Sequence, residues 1–180
     1  MKNYTKLFLF ILILITALYS RSLAYNTYSL FDDTSIKEAQ SKTMFKKTFS
    51  TLNQALLISE ALDDKFYSNF NDVWNKGIKE RLTNPKDIQN GIILADLTRV
   101  TYSKTGKSCI IAPKNENYAS KNTACAVLTI DTNGNKEPNA MSSNQKINDR
   151  YTVLLYSDRI LTIPNSVEWN LINEYKNKRY

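Results

Sequence analysis

The 180-residue sequence contains no histidine. Histidine is the side chain whose ordinary pKa lies nearest neutral pH, and it is the commonest metal ligand. Its absence excludes Ser-His-Asp and Cys-His nucleophilic sites, and with them His-bound zinc or haem. Catalysis would have to run on carboxylate, lysine, tyrosine or Ser-Lys chemistry. Spacing singles out no such pair, so no catalytic residue is assigned and the chain reads as a non-enzyme. Glycine and proline are scarce, four of each, which excludes a collagen-like or linker-dominated chain. Gly91 and Gly106 stand alone, so there is no phosphate-cradling loop. Thr105-Gly-Lys-Ser108 has the end of such a loop without its upstream glycine, and its place between two β-prone segments predicts a hairpin turn.

What is present fits one globular domain. Hydrophobic residues make up 42% and charged residues 23%, enough apolar content for a packed core. The formal net charge is +7. Lys2, Lys6 and Arg21 supply three positives ahead of the first acid, Asp32, so residues 25–180 carry +4. A surplus of that size neither requires anionic lipid nor nucleic acid as a partner. The basic residues are scattered, and several of the 11 tyrosines fall in β-prone segments where they would pack, so nucleic acid is an unlikely partner.

The N-terminus has a basic start, Met1–Lys6, then the apolar run Leu7–Tyr19, then Ser22-Leu-Ala24 with small residues flanking a cleavage point before Tyr25. This is the three-part pattern of a secretory signal. The run is shorter than the roughly 20 residues of a spanning helix, although Arg21 can snorkel and lengthen it. Two readings stay open for residues 1–24: a cleaved signal, or a retained anchor in which Leu7, Phe8, Phe10, Ile11, Leu14 and Leu18 face membrane or partner helices. Residues 25–180 are then the exported domain.

Export bears on the two cysteines, Cys109 and Cys125. In an oxidising compartment they pair, closing a loop of about 15 residues for roughly 3 kcal/mol. Each begins an apolar, β-prone segment, so the bridge would staple neighbouring strands or span a loop. The competing reading is two buried free thiols. Two sulfurs without histidine are too few for a metal site.

Residues 33–82 read as helical. Phe45, Phe49, Leu52 and Leu56 share one helical face, Asp63-Asp64 interrupts the pattern, and Phe66, Phe70, Trp74, Ile78 and Leu82 recur at steps of four before Asn84-Pro85 stops the run. Gly77 weakens that second stretch. Beyond residue 92 the chain turns β-prone. Ile92–Tyr102, Ser108–Ala112, Cys125–Asp131, Tyr151–Tyr156 and Arg159–Ile163 read as strands, Asn115–Thr123 as a polar loop, and Val167–Tyr175 as a terminal helix. Helices followed by three to five strands joined by short turns imply an α+β domain, with an amphipathic helix packed on a small antiparallel sheet.

This order of parts resembles the type IV pilin and type II secretion pseudopilin family. Three strings carry the likeness: Phe45-Lys-Lys-Thr-Phe-Ser-Thr-Leu-Asn-Gln-Ala55, Asp131-Thr-Asn-Gly-Asn-Lys-Glu-Pro-Asn139 and Tyr151–Ile160 (YTVLLYSDRI). The resemblance implies a pilin-like fold, in which the apolar N-terminal helix continues into the amphipathic one. It also implies a structural role in the bacterial cell envelope, with other pilin-like subunits or secretion-machine components as partners. Such a chain would be at the inner membrane or periplasm, at the cell surface, or secreted. The family's processing signal, a Gly ahead of a Phe or Met and a Glu early in the mature helix, has no counterpart in Thr5–Leu12. Export by an ordinary signal, as a secreted or periplasmic binding module of the same fold, is therefore the alternative. Asp131, Asn133 and Asn135 alternate around Gly134, a spacing that calcium loops use, and some pseudopilins hold calcium in C-terminal loops. No acid among Ser142, Asn144 and Gln145 completes such a loop, and a plain Asx-type turn with Asn-Gly at its tip competes with it.

Overall fold

In the computed structural model the described residues are 35–134, 136 and 148–177, the last three by their backbone alone. The first helix, α1, covers residues 35–63. It forms because the apolar spacing puts Phe45, Leu52 and Leu56 on one face, and all three are buried. Phe49 is partly buried beside them. The helix stops where the doubled aspartate predicts. Asp64 takes φ 48°, a left-handed turn that Asp tolerates better than most residues, and its N–H closes on the Glu60 carbonyl at 2.9 Å.

Asp63 anchors this corner. Its carboxylate accepts from Ser59, from the Tyr67 hydroxyl at 2.8 Å and from the Arg81 guanidinium at 2.9 Å. The second helical segment, α2, is shorter than the step-of-four pattern implies. It opens at Phe70–Asp72, widens to a π-helical stretch at Val73–Ile78 and tightens to a 3-10 turn at Lys79–Arg81. Phe66 lies outside it and is exposed. Gly77 has a packing reason to be there. A Cβ at that position would stand 3.2 Å from a Leu56 methyl, so the missing side chain lets α2 close on α1.

Among the described residues six antiparallel strands follow in simple up-and-down order: β1 Lys86–Ile88, β2 Gly91–Ile93, β3 Arg99–Lys104, β4 Ala126–Asp131, β5 Arg150–Leu155 and β6 Ile160–Thr162. The expected antiparallel sheet is present, with three differences. Ile92–Tyr102 is two strands, because Leu94 and Thr98 close a turn in which Leu97 takes φ 69°. β1 is an additional strand. Ser108–Ala112 is not a strand. Its main chain is held by scattered bonds, Cys109 N–H to Ser68 and Ile110 C=O to Ser157. Gly106 does turn the chain (φ 78°), but the turn opens an excursion over residues 105–125 and no hairpin forms there.

That excursion explains why Tyr151–Tyr156 is apolar without alternation. Tyr151, Val153 and Leu155 face α1 in the main core, while Leu154 and Tyr156 face Ala112, Ala119 and Ala124 on the opposite side. A strand covered on both faces loses the polar half of its period. Phe45 stacks on Tyr151 with ring centroids 4.3 Å apart. Ser41, one turn earlier, meets the Thr132 hydroxyl at 2.8 Å and donates to the Asn148 carbonyl at 2.6 Å, joining α1 to both ends of the β4–β5 connection. The final helix, α3, runs Val167–Asn177. Its Glu168 carboxylate accepts from the Thr152 N–H at 2.9 Å, where β6 has already ended.

From Glu38 onward these elements belong to one compact unit, Glu38–Tyr180. No helix among the described residues is long and apolar enough to cross a membrane. Residues 1–24, including Leu7, Phe8, Phe10, Ile11, Leu14 and Leu18, lie outside the described residues.

Candidate functional site

Cys109 and Cys125 form a disulfide, with Cα atoms 4.8 Å apart. Of the arrangements the sequence left open, this is the bridge across a loop. Cys109 precedes and Cys125 ends the chain segment that covers the second face of the sheet. Both cysteines are buried, so the bond belongs to the core and not to a reactive surface. It fixes the root of Ile110 and Ile111, both of which are exposed. Ala112 N–H donates to the Asp158 carboxylate at 2.7 Å and holds the other end of that short segment.

The predicted calcium residues lie at the end of β4. Asp131 pairs in register with Arg150 of β5, and the guanidinium Nε stands 3.2 Å from its carboxylate. Burial pushes the Asp131 carboxyl above its ordinary range, and Arg150 acts against that shift without reversing it. A cation bound here would compete with a guanidinium already in place. Asn133 follows in the turn, Gly134 takes φ 71°, and Asn135 lies outside the described residues. Among the described residues no group of three or more acidic, cysteine or histidine side chains is placed to hold a metal ion.

One concave feature had no signal in the sequence. A trough of about 550 Å³ runs between the outer flank of α1 and the edge strand β6. Lys46, Phe49, Ser50, Asn53, Leu57 and Glu60 form one wall, and Ile160, Leu161 and Thr162 form another. Ile111 of the disulfide-closed excursion, Phe66 and Ile172 of α3 complete the apolar lining. Leu57 and Ile111 are each 57% exposed and Phe66 is 40% exposed, high values for large apolar side chains.

Asn53 defines how this trough meets the sheet. Its amide oxygen accepts from the Ile160 N–H at 2.8 Å, and its amide nitrogen donates to the Ile160 carbonyl at 3.3 Å. The side chain thus takes the place that a peptide group of a seventh strand would occupy at that residue. This is one of the ways proteins blunt an exposed sheet edge. Asn53 belongs to the Phe45–Ala55 string on which the family likeness rests, and its role there is to close the edge of β6. Main-chain polar groups alternate direction along a strand, so the next residue facing the same way as Ile160 is Thr162, and Thr162 opens on the trough.

No protein-family model, no curated protein and no solved structure matches the sequence.

Proposed function

We propose that the chain is a non-enzymatic structural or assembly subunit of the bacterial cell envelope, pilin-like or pseudopilin-like, exported and working at the inner membrane, in the periplasm or at the cell surface. One observation carries this: the long amphipathic helix α1 is packed against a C-terminal antiparallel sheet, with a disulfide closing the connection between β3 and β4. In such a subunit the apolar residues Leu7–Tyr19 partition into the membrane first and then pack against the equivalent helices of partners. Helix association in lipid relies on close packing, since hydrocarbon offers no hydrophobic drive between helices. The +4 charge of residues 25–180 adds no requirement for nucleic acid. Calcium at Asp131, Asn133 and Asn135 belongs to this proposal only as an optional ion.

A second reading is favoured by the missing Gly and Glu in Thr5–Leu12 and by the open trough: a binding module of the same fold, released by signal peptidase. Fractionation with N-terminal sequencing separates the two. A membrane-bound product that still carries Leu7–Tyr19 supports the subunit. A soluble product beginning at Tyr25 would sink assembly through that helix and leave the binding module.

A further inference from the structure

We propose that the outer side of the disulfide-closed excursion docks on a bilayer surface rich in anionic lipid. The charge distribution comes first. Residues 104–125 contain four lysines, Lys104, Lys107, Lys114 and Lys121, against one acid, Glu116, a net +3. Residues 25–180 carry +4, so all other residues from 25 onward total only +1. All four lysines are exposed. Lys104 donates to the Asn71 amide oxygen at 3.0 Å and Lys107 to the Asn122 carbonyl. Both acceptors are neutral, so neither cation is cancelled. Glu116, with Glu60 of α1, is half-buried and lines the trough. Acids of the adjoining segments are already engaged: Asp158 with Arg159, Asp63 with Arg81 and Asp72 with Lys76. The exposed Asp64 is followed directly by the exposed Lys65.

The covering layer is two-sided. Ala112, Ala119 and Ala124 are buried against Leu154 and Tyr156. Its exposed side carries the lysines together with Ile110, Ile111 and Tyr118, each more than half exposed. Lysine stems lie along an apolar boundary while their charged heads stay in water, and tyrosine is enriched where membrane meets water. Cations among exposed apolar side chains therefore suit a lipid surface, where charge attraction and shallow apolar burial add. The same composition sets other anionic partners aside. Single-stranded nucleic acid is held by stacking on aromatic faces, and two of these three large side chains are isoleucines. Protein interfaces favour arginine and are depleted of lysine, and residues 104–125 contain no arginine. The layer is also pre-formed. The Cys109–Cys125 bond, the Thr105 N–H to the Cys125 carbonyl at 3.1 Å and the Thr123–Tyr156 hydroxyl contact at 2.7 Å hold it in place, so docking orders little. Docking of this layer does not depend on whether residues 1–24 are retained, and it holds for a subunit or for a released module.

The test places the full chain in phosphatidylcholine nanodiscs doped with a gadolinium-chelate lipid, with or without about 30% phosphatidylglycerol, and reads methyl NMR line broadening. With the anionic lipid the Ile110 and Ile111 methyls should broaden strongly. Leu97, exposed beyond the opposite end of β3, should not. In pure phosphatidylcholine, or in about 0.5 M salt, the broadening should fall roughly fivefold or more. Each lysine near an anionic surface strengthens binding about fivefold, so Lys114→Gln with Lys121→Gln should lower the docking constant about 25-fold. Ile110→Asn, a separate variant of the same layer, should lower it about fivefold. All three side chains are exposed, and amide spectra of the sheet report that each variant is folded. The proposal fails if the anionic lipid produces no broadening, if Ile110 and Leu97 broaden alike, or if pure phosphatidylcholine broadens as much. It fails equally if the folded double-lysine variant docks as wild type. Displacement from the discs by single-stranded oligothymidylate or by polyglutamate, at a lower concentration than that of the anionic lipid, would overturn it and assign the layer to nucleic acid or to an acidic protein.

Discussion

Replacing Asn53 by alanine should separate the contribution of the β6 edge from that of the core. The substitution removes an acceptor 2.8 Å from the Ile160 N–H and a donor 3.3 Å from its carbonyl. It leaves Phe45, Leu52 and Leu56 untouched. Ile160 is only 1% exposed, so its main-chain groups are poorly placed to recover water. A net loss of about 0.5–1.5 kcal/mol per hydrogen bond, with about 1–3 kcal/mol for an orphaned buried donor, sets a gross cost of roughly 3 kcal/mol. Alanine is the better helix former, by up to about 0.7 kcal/mol, and offsets part of it. The net expectation is a destabilisation of about 2 kcal/mol, which for a domain of this size lowers Tm by roughly 5–8 °C. Urea unfolding followed by circular dichroism should show a lower midpoint at unchanged slope. Native-state hydrogen exchange should accelerate at the Ile160 amide more than at Leu161, whose pairing with Leu154 is intact. A variant within 0.5 kcal/mol of wild type, or uniform acceleration along β6, would refute the idea that this side chain serves as a prosthetic strand.

Removing the bridge with Cys109→Ala and Cys125→Ala together should cost about 3 kcal/mol, the loop-closure entropy of a loop this long; a loss under about 1 kcal/mol in urea titration would show that the excursion is held without it. Gly91→Ala should destabilise by roughly 2–4 kcal/mol in thermal unfolding, because its Cβ would lie 2.2 Å from the Val100 carbonyl oxygen of the paired strand, where only a backbone shift makes room. Gly106→Ala meets open space and carries only the φ penalty, about 1 kcal/mol; equal losses at the two glycines would contradict the close approach. The Asp63 carboxyl is held below its ordinary value of 3.8 by the Tyr67 hydroxyl, with burial opposing and Arg81 and Ser59 assisting. A carboxyl depressed on folding stabilises above the ordinary value, and that share is lost as pH falls below 3.8 through the folded pKa. The stability profile of Asp63→Asn should therefore be flatter than wild type in that acidic window, and superimposable profiles would count against the Asp63 corner.

How much of this was legible in advance depended on the range of the cause. The α1 face, its end at Asp63-Asp64 and the strands Cys125–Asp131 and Tyr151–Tyr156 follow from spacing and local turn chemistry, and they appear close to where the sequence places them. β1 escaped notice because Lys86 and Asp87 are exposed and an edge strand needs no apolar period. Ser108–Ala112 reads as a strand because Cys-Ile-Ile-Ala is β-prone, but the edge of β3 is already paired with β4. The segment is left to the disulfide and to the other face of the sheet. The π-helical stretch of α2 is likewise set by contact, with Gly77 against Leu56 and Trp74 against Tyr102.

The sequence alone determined the absence of histidine, the two cysteines, the basic and apolar N-terminus and an α+β order of parts. Those are properties of composition and of neighbours a few residues apart, which the chain states locally. Only the tertiary structure decided that Asn53 closes the β6 edge, that Asp131 faces Arg150, and that Leu57, Phe66 and Ile111 share one trough. Each of these joins residues remote in sequence, and their meeting depends on strand register and helix placement that no local pattern encodes.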